Sequence, residues 1–299
     1  MNDLNKTNAV RYSDGPRGTV LLDMYACGIG DDMHALPVVW GMVQDGFAVT
    51  INCKPFRNPI WQRAGAHVIN KTELGLVWGV ENAYKYERII SLTHWGGWEC
   101  GELGYHTKNT TEQFAEIVGH RVPEYFDWEA VLGVKESSGD YILYNPNSVE
   151  HWRTLPPESA QRVERELVMT GMRVERIGME SCSTIDELLE AVNNAAIVVS
   201  VEGGVSNIAG ALKRPTVILA GMTDTGAVMD GFRAYTPELP VLEVRGATVY
   251  GCDAPCYRKP ERGFENGKCC GVHDAPQCLA RLDIDRVRNA VEAFTLTEV

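Results

Sequence analysis

Residues 19–25 read TVLLDMY, a short apolar run that breaks into Cys27-Gly28-Ile29-Gly30-Asp31-Asp32. Apolar residues then recur at Leu36, Val39, Trp40 and Val43, a spacing that predicts a helix over residues 33–44 with Gly46 as its stop. Pro37 suits that helix because it would fall near the first turn. Residues 47–52 read as a second strand and 88–92 as another, while residues 61–86 carry no clear period.

A second series begins at Asp140. Residues 141–144 are strand-like, 157–170 helical and 173–177 a strand. A helix over 184–194 opens with Thr184 and Glu187 at capping-box spacing. Residues 196–201 (AIVVSV) form a buried-type strand that turns at Gly203-Gly204 into a helix over 206–213, and 215–219 is the next strand. The last helix spans 284–294, with Ile284, Val287, Val291 and Phe294 on one face and Asp283 as N-cap. Strand–helix alternation with short turns predicts an α/β protein whose parallel sheets are covered on both faces. Two such series, divided near residues 134–139, predict two Rossmann-like, doubly wound domains facing a cleft, residues 1–135 and 136–299.

Composition narrows the chemistry. Hydrophobic residues make up 44% and charged residues 23% of 299, an ordinary globular balance. With 28 basic against 40 acidic residues the net charge is −12, and no Lys/Arg cluster offers a duplex nucleic acid its phosphate contacts. A small anion held by backbone N–H groups is compatible with that charge. Residues 1–18 lack the apolar core of a signal peptide and no long apolar stretch appears, so a soluble, cytoplasmic protein without a transmembrane segment is expected. Nine cysteines in a reducing compartment argue against a disulfide framework. Five of them form Cys252-x3-Cys256-x12-Cys269-Cys270-x7-Cys278, a tract that could hold a structural zinc or iron ion, with His273 as an alternative ligand. Reduced, unliganded cysteines are the other reading of the same tract.

Two glycine-rich turns follow strands, where helix starts offer unsatisfied N–H groups. In the first, Asp31 or Asp32 could act as a general base or simply cap the helix. His34 is a packing or capping residue or an acceptor contact. The second, Val201-Glu202-Gly203-Gly204-Val205-Ser206-Asn207, suits a pyrophosphate or is an ordinary tight turn. It lacks the ending of a Walker loop. His94-Trp95-Gly96-Gly97-Trp98-Glu99 follows a strand; its aromatics could stack on a sugar, or bury against neighbouring loops. Lys54, Arg57 and Trp61 form a solvated face or a further acceptor contact.

Together these stretches resemble glycosyltransferase family 9, the ADP-heptose:lipopolysaccharide heptosyltransferase group. The resemblance rests on Gly30-Asp31-Asp32-Met33-His34-Ala35-Leu36-Pro37, on residues 184–195 (TIDELLEAVNNA), on residues 200–225 (SVEGGVSNIAGALKRPTVILAGMTDT), and on Arg153 ahead of Leu155-Pro156. The cysteine-bearing tail is similar too. It implies a GT-B fold and a transferase without a catalytic cofactor or metal. The acceptor would lie on the first domain, near Gly30, His34, His94, Trp95, Trp98 and Glu99, and the nucleotide-sugar donor on the second. Asp31 would deprotonate the acceptor hydroxyl, and transfer would invert configuration. Arg153 and the N–H groups of residues 203–206 would hold the diphosphate, with Glu202 and Asn207 beside it. The family's donor-loop Asp, Ser/Thr and His are here Glu202, Gly203 and Asn207, so donor and acceptor identities stay open. A nucleobase, protein or small-metabolite acceptor, or a binding protein without transfer activity, are the competing readings.

Overall fold

A computed structural model describes residues 17–71, 85–92, 109–135, 137, 139–149, 153–178, 181–221, 225–246 and 277–296. The chain divides into two compact units, Met1–Gly97 with Thr110–Gly133, and Trp98–Asn109 with Val134–Val299.

The first unit carries a parallel four-stranded sheet in the order β3-β2-β1-β4. Its strands are β1 (Gly18–Asp23), β2 (Phe47–Asn52), β3 (His67–Ile69) and β4 (Arg88–Ser91). β1 is central, and its run Val20-Leu21-Leu22 is buried on both faces. Helix α1 spans Ile29–Gln44, starting at Ile29 rather than Met33. The reason is local: Gly28 is extended (φ −88°, ψ 171°) and its N–H donates to Asp31 Oδ2 at 2.7 Å, closing the first turn. Pro37 therefore lies in the helix interior, a position costing about 3 kcal/mol elsewhere. Burial of most of the helix, from Met33 to Val43, supports it there. Three short helices complete the unit: α2 (Asn58–Arg63), α3 (Thr110–Val118) and α4 (Trp128–Leu132). α1 packs on α3 and on β2. The unpatterned stretch thus holds the end of α2 and all of β3, both elements too short to show a period.

The second unit carries a parallel five-stranded sheet, β5 (Tyr141–Asn145), β6 (Arg173–Arg176), β7 (Ile197–Val201), β8 (Thr216–Ala220) and β9 (Val241–Arg245). The order is β6-β5-β7-β8-β9, so the winding reverses between β5 and β7. Its helices are α5 (Pro157–Met169), α6 (Ile185–Asn193), α7 (Gly204–Ala211), α8 (Thr225–Arg233), α9 (Gln277–Ala280) and α10 (Ile284–Leu296). Alternate strand residues Ile142, Tyr144, Val199, Val201, Val217 and Leu219 form one apolar layer with Val163 and Leu167 of α5 and Val287 and Val291 of α10. Their neighbours Leu143, Val198 and Ile218 are equally buried on the opposite face. Both faces of a parallel sheet must be covered in this way, because its crossovers are helices. Thr184 caps α6, accepting from the Glu187 N–H at 3.1 Å while Glu187 accepts from the Thr184 N–H at 3.3 Å. α7 begins at Gly204 and ends at Ala211, inside the span predicted for it on the C-terminal side. Among the described residues no helix is long and apolar enough to cross a membrane.

Candidate functional site

In an open parallel sheet the loops beyond the strands' carboxyl ends diverge where the winding reverses, leaving a crevice for ligand. In the second unit that point lies between β5 and β7, and the predicted donor residues sit there. β5 ends in Asn145, whose side chain donates to Ser200 Oγ at 3.1 Å, tying the two strand ends together. The segment after β5 folds back on itself: the Leu155 N–H donates to Pro146 O at 2.9 Å, and Thr154 Oγ1 accepts from the Ser148 N–H at 3.0 Å. This loop delivers Arg153 to the end of β7. There its Nη1 donates to Glu202 Oε2 at 2.8 Å.

The β7–α7 turn is built on Gly203, whose φ of 154° suits glycine. Ser206 Oγ accepts from the Gly203 N–H at 3.0 Å and donates to Gly203 O at 2.9 Å. The Gly203 amide is therefore engaged within the turn. The N–H groups of Gly204, Val205 and Ser206 belong to the first turn of α7 and have no acceptor inside the helix. Asn207 is buried at 4% exposure, and its Oδ1 has no hydrogen-bond partner among the described residues. Leaving such an oxygen unmatched costs about 1–3 kcal/mol, a cost that a ligand hydroxyl would remove. Arg153, Glu202, Gly203, Gly204, Val205, Ser206 and Asn207 are thus all placed at one loop pair.

The first unit presents a different arrangement at the β1–α1 turn. Asp31 is half-buried in the first turn of α1 and carries the cap to Gly28. Gly30 lies inside the helix rather than in the loop. Asp32 faces inward, fully buried, where both carboxylate oxygens accept from Arg57 Nη1 at 2.8 and 3.0 Å. Arg57 Nη2 also donates to Met24 O at 2.7 Å and to Tyr25 O at 3.3 Å, so one guanidinium gathers the loop from beneath. Burial pushes the Asp32 carboxyl above the ordinary carboxylate range, against the opposing pull of Arg57. Burial alone would lower Arg57, but Asp32 holds it above its ordinary range, so it stays charged. The expectation of a solvated or acceptor-facing Arg57 and Trp61 is corrected: both are buried, at 2% and 0% exposure. Sequence reasoning named Arg57 but missed its pairing with Asp32, because the two lie 25 residues apart and only the fold joins them.

His34 is buried between α1 and α3, its Nδ1 3.3 Å from Thr111 Oγ1, a packing position rather than a surface one. Burial lowers its imidazole to about 3, so it is neutral. Cys27 Sγ donates to Leu92 O at 3.4 Å, and burial together with Asp31 and Asp32 pushes the thiol well up. That disfavours a reactive thiolate beside Asp31.

His94, Trp95, Trp98 and Glu99 lie outside the described residues, as do Cys252, Cys256, Cys269, Cys270 and His273. Cys278 is described, and it packs in the apolar layer of the second unit with Leu279 and Leu282. No group of potential metal ligands forms among the described residues.

No family model matches the sequence, and no curated protein matches it. Solved structures match its fold. The iron-containing dodecameric glycosyltransferase TibC from enterotoxigenic E. coli H10407 has a TM-score of 0.64 at 12% identity, over 95% of this chain and 78% of that one. E. coli heptosyltransferase WaaC with ADP has a TM-score of 0.56 at 15% identity, over 92% and 99% of the two chains. The glycosyl transferase family 9 protein from Veillonella parvula DSM 2008 has a TM-score of 0.55 at 10% identity, over 94% and 98%. At these identities the likeness is one of fold: two parallel α/β units of the GT-B, heptosyltransferase-like type.

Proposed function

We propose that this chain, with its heptosyltransferase-like fold, is a glycosyltransferase that moves a sugar from a nucleotide-diphosphate sugar to an acceptor hydroxyl with inversion. One observation carries the reading. At the β5/β7 reversal, Arg153, the amides opening α7 and the unmatched Oδ1 of Asn207 converge on the same loop pair.

A departing nucleoside diphosphate takes negative charge with it as the glycosidic bond breaks. Fixed N–H dipoles and a cation aimed at that charge lower the barrier most when they need no reorganisation. The Gly204, Val205 and Ser206 amides supply the dipoles and Arg153 the cation, whose planar fork matches phosphate oxygens. Asn207 Oδ1 accepts from a hydroxyl of the bound donor. Asp31 is the group that takes the acceptor proton; its bond from the Gly28 N–H fixes the carboxylate at the start of α1. This reading assigns no step to a metal ion. An ion held by Cys252, Cys256, Cys278 and one of Cys269 or Cys270 would be structural. Less than half an equivalent of zinc or iron in protein purified without nickel counts against it.

WaaC and TibC are described with ADP and with ADP-D-beta-D-heptose, which makes ADP-sugars the first donors to try. The test is release of nucleoside diphosphate from a panel of ADP-, UDP-, GDP- and CDP-sugars with saccharide acceptors, followed by nucleobase, protein and small-metabolite acceptors. Turnover with one donor supports the transferase. A second reading, a binding protein without transfer, is favoured by the Arg153–Glu202 ion pair, because Arg153 is already neutralised. Saturable binding of a nucleotide sugar with no turnover across the panel supports that one.

A further inference from the structure

We propose that Glu202 is a resident competitor for the donor's diphosphate: it holds Arg153, and the donor binds by drawing Arg153 away from it. This deepens the donor-site reading above and rests on it. Glu202 follows Val201, the last residue of β7, in the turn into α7, and its side chain is 5% exposed. Its Oε2 takes Nη1 of Arg153, the basic side chain that the returning loop brings to the turn. The positive end of α7 and the guanidinium together form an anion site, and the chain's own carboxylate already engages its cation. Arg153 remains 23% exposed, so solvent and ligand reach it, whereas Glu202 is the buried member. A diphosphate arriving at the α7 amides therefore meets a guanidinium that has a prior partner. Because nothing covalent changes, the cost appears as affinity.

Two substitutions separate reach from charge. Glu202→Gln keeps the shape and removes the charge; replacing a charge-assisted hydrogen bond by a neutral one frees Arg153 and should tighten ADP binding about tenfold. Glu202→Asp keeps the charge but withdraws it by one methylene, and should tighten binding by a smaller factor. Removing a nearby negative charge would by itself favour a phosphate, so the decisive arm is the same change in an Arg153→Gln background. If Glu202 acts through Arg153, the tenfold gain disappears there.

The experiment is calorimetric titration of ADP, and in parallel of UDP, GDP and CDP, into the full-length wild type, the two single variants at 202, Arg153→Gln, and the Glu202→Gln/Arg153→Gln double variant. The proposal expects a gain at 202 that depends on Arg153. ADP binding to the wild type with equal or weaker binding to Glu202→Gln, or a gain that persists without Arg153, overturns the competition and leaves the donor site standing. No ADP, UDP, GDP or CDP binding by any of the proteins overturns both. Should Glu202→Gln fail to fold, Glu202→Asp carries the comparison.

Discussion

The β1–α1 and β7–α7 turns are built alike, a buried strand running through glycine into a helix, and each holds an arginine against a carboxylate. They differ in what else the arginine does. Arg57 and Asp32 have side chains 3% and 0% exposed, and Arg57 also takes the carbonyls of Met24 and Tyr25. Both terminal nitrogens of that guanidinium are spent on the fold. Arg153 is 23% exposed and meets the Glu202 carboxylate at a turn open to solvent, so a ligand can reach it. The same ion-pair chemistry is a structural clamp in one turn and a binding group in the other, and burial decides which.

The largest effect should come from breaking the clamp. Arg57→Met strands a buried Asp32 and two carbonyls, and should cost about 3–5 kcal/mol in urea denaturation of the first unit. Adding Asp32→Leu should recover part of that, not all, since the Met24 and Tyr25 carbonyls still lack their donor. A loss below about 1 kcal/mol for Arg57→Met would erase the contrast between the turns.

Asp31→Asn sharpens the difference between clamp and chemistry within one turn. The amide oxygen can still accept from the Gly28 N–H, so folding should be unchanged while transfer falls ~10²-fold or more. Retained turnover would make Asp31 a helix cap.

Acid should act on the first unit through His34. Its folded value of about 3 lies below the ordinary 6.5, so its contribution is present above pH 6.5 and is lost as pH falls from there toward 3. The slope it adds approaches 1.4 kcal/mol per pH unit. His34→Gln, which preserves a partner for Thr111, should flatten the stability profile across that window; an unaltered slope would mean His34 is not buried neutral.

The smallest change in stability is expected at the second turn. Arg153→Ala takes the guanidinium from the buried Glu202 carboxylate but strands no backbone carbonyl, and should cost about 1–3 kcal/mol, less than Arg57→Met, by the same denaturation measurement. A cost approaching that of Arg57→Met would make Arg153 a clamp as well.

The sheets were legible because buried parallel strands write continuous apolar runs, as in Ile197–Val201 and Thr216–Ala220. Thr184 and Glu187 marked the start of α6 for a local reason: both partners of the cap lie within one turn. What failed was long-range or short. Gly28 to Asp32 read as loop although α1 begins at Ile29, since nothing in the sequence shows that Asp31 closes onto the Gly28 amide. β3 is a three-residue edge strand, below the length at which alternation can be seen. At the candidate site, Glu202 and Arg153 are each named from the sequence, but they lie 49 residues apart and only the fold joins them. Arg57 and Asp32 are separated in the same way, and a charged residue carries no periodic sign that it will be buried.

The central claim is that the β7–α7 turn holds a diphosphate, and a crystal of the protein soaked with ADP tests it most directly. The account predicts diphosphate oxygens about 2.7–3.2 Å from the Gly204 and Val205 nitrogens and from the Arg153 guanidinium. Nucleotide density elsewhere, with Arg153 still on Glu202 and those amides facing no phosphate, would contradict it.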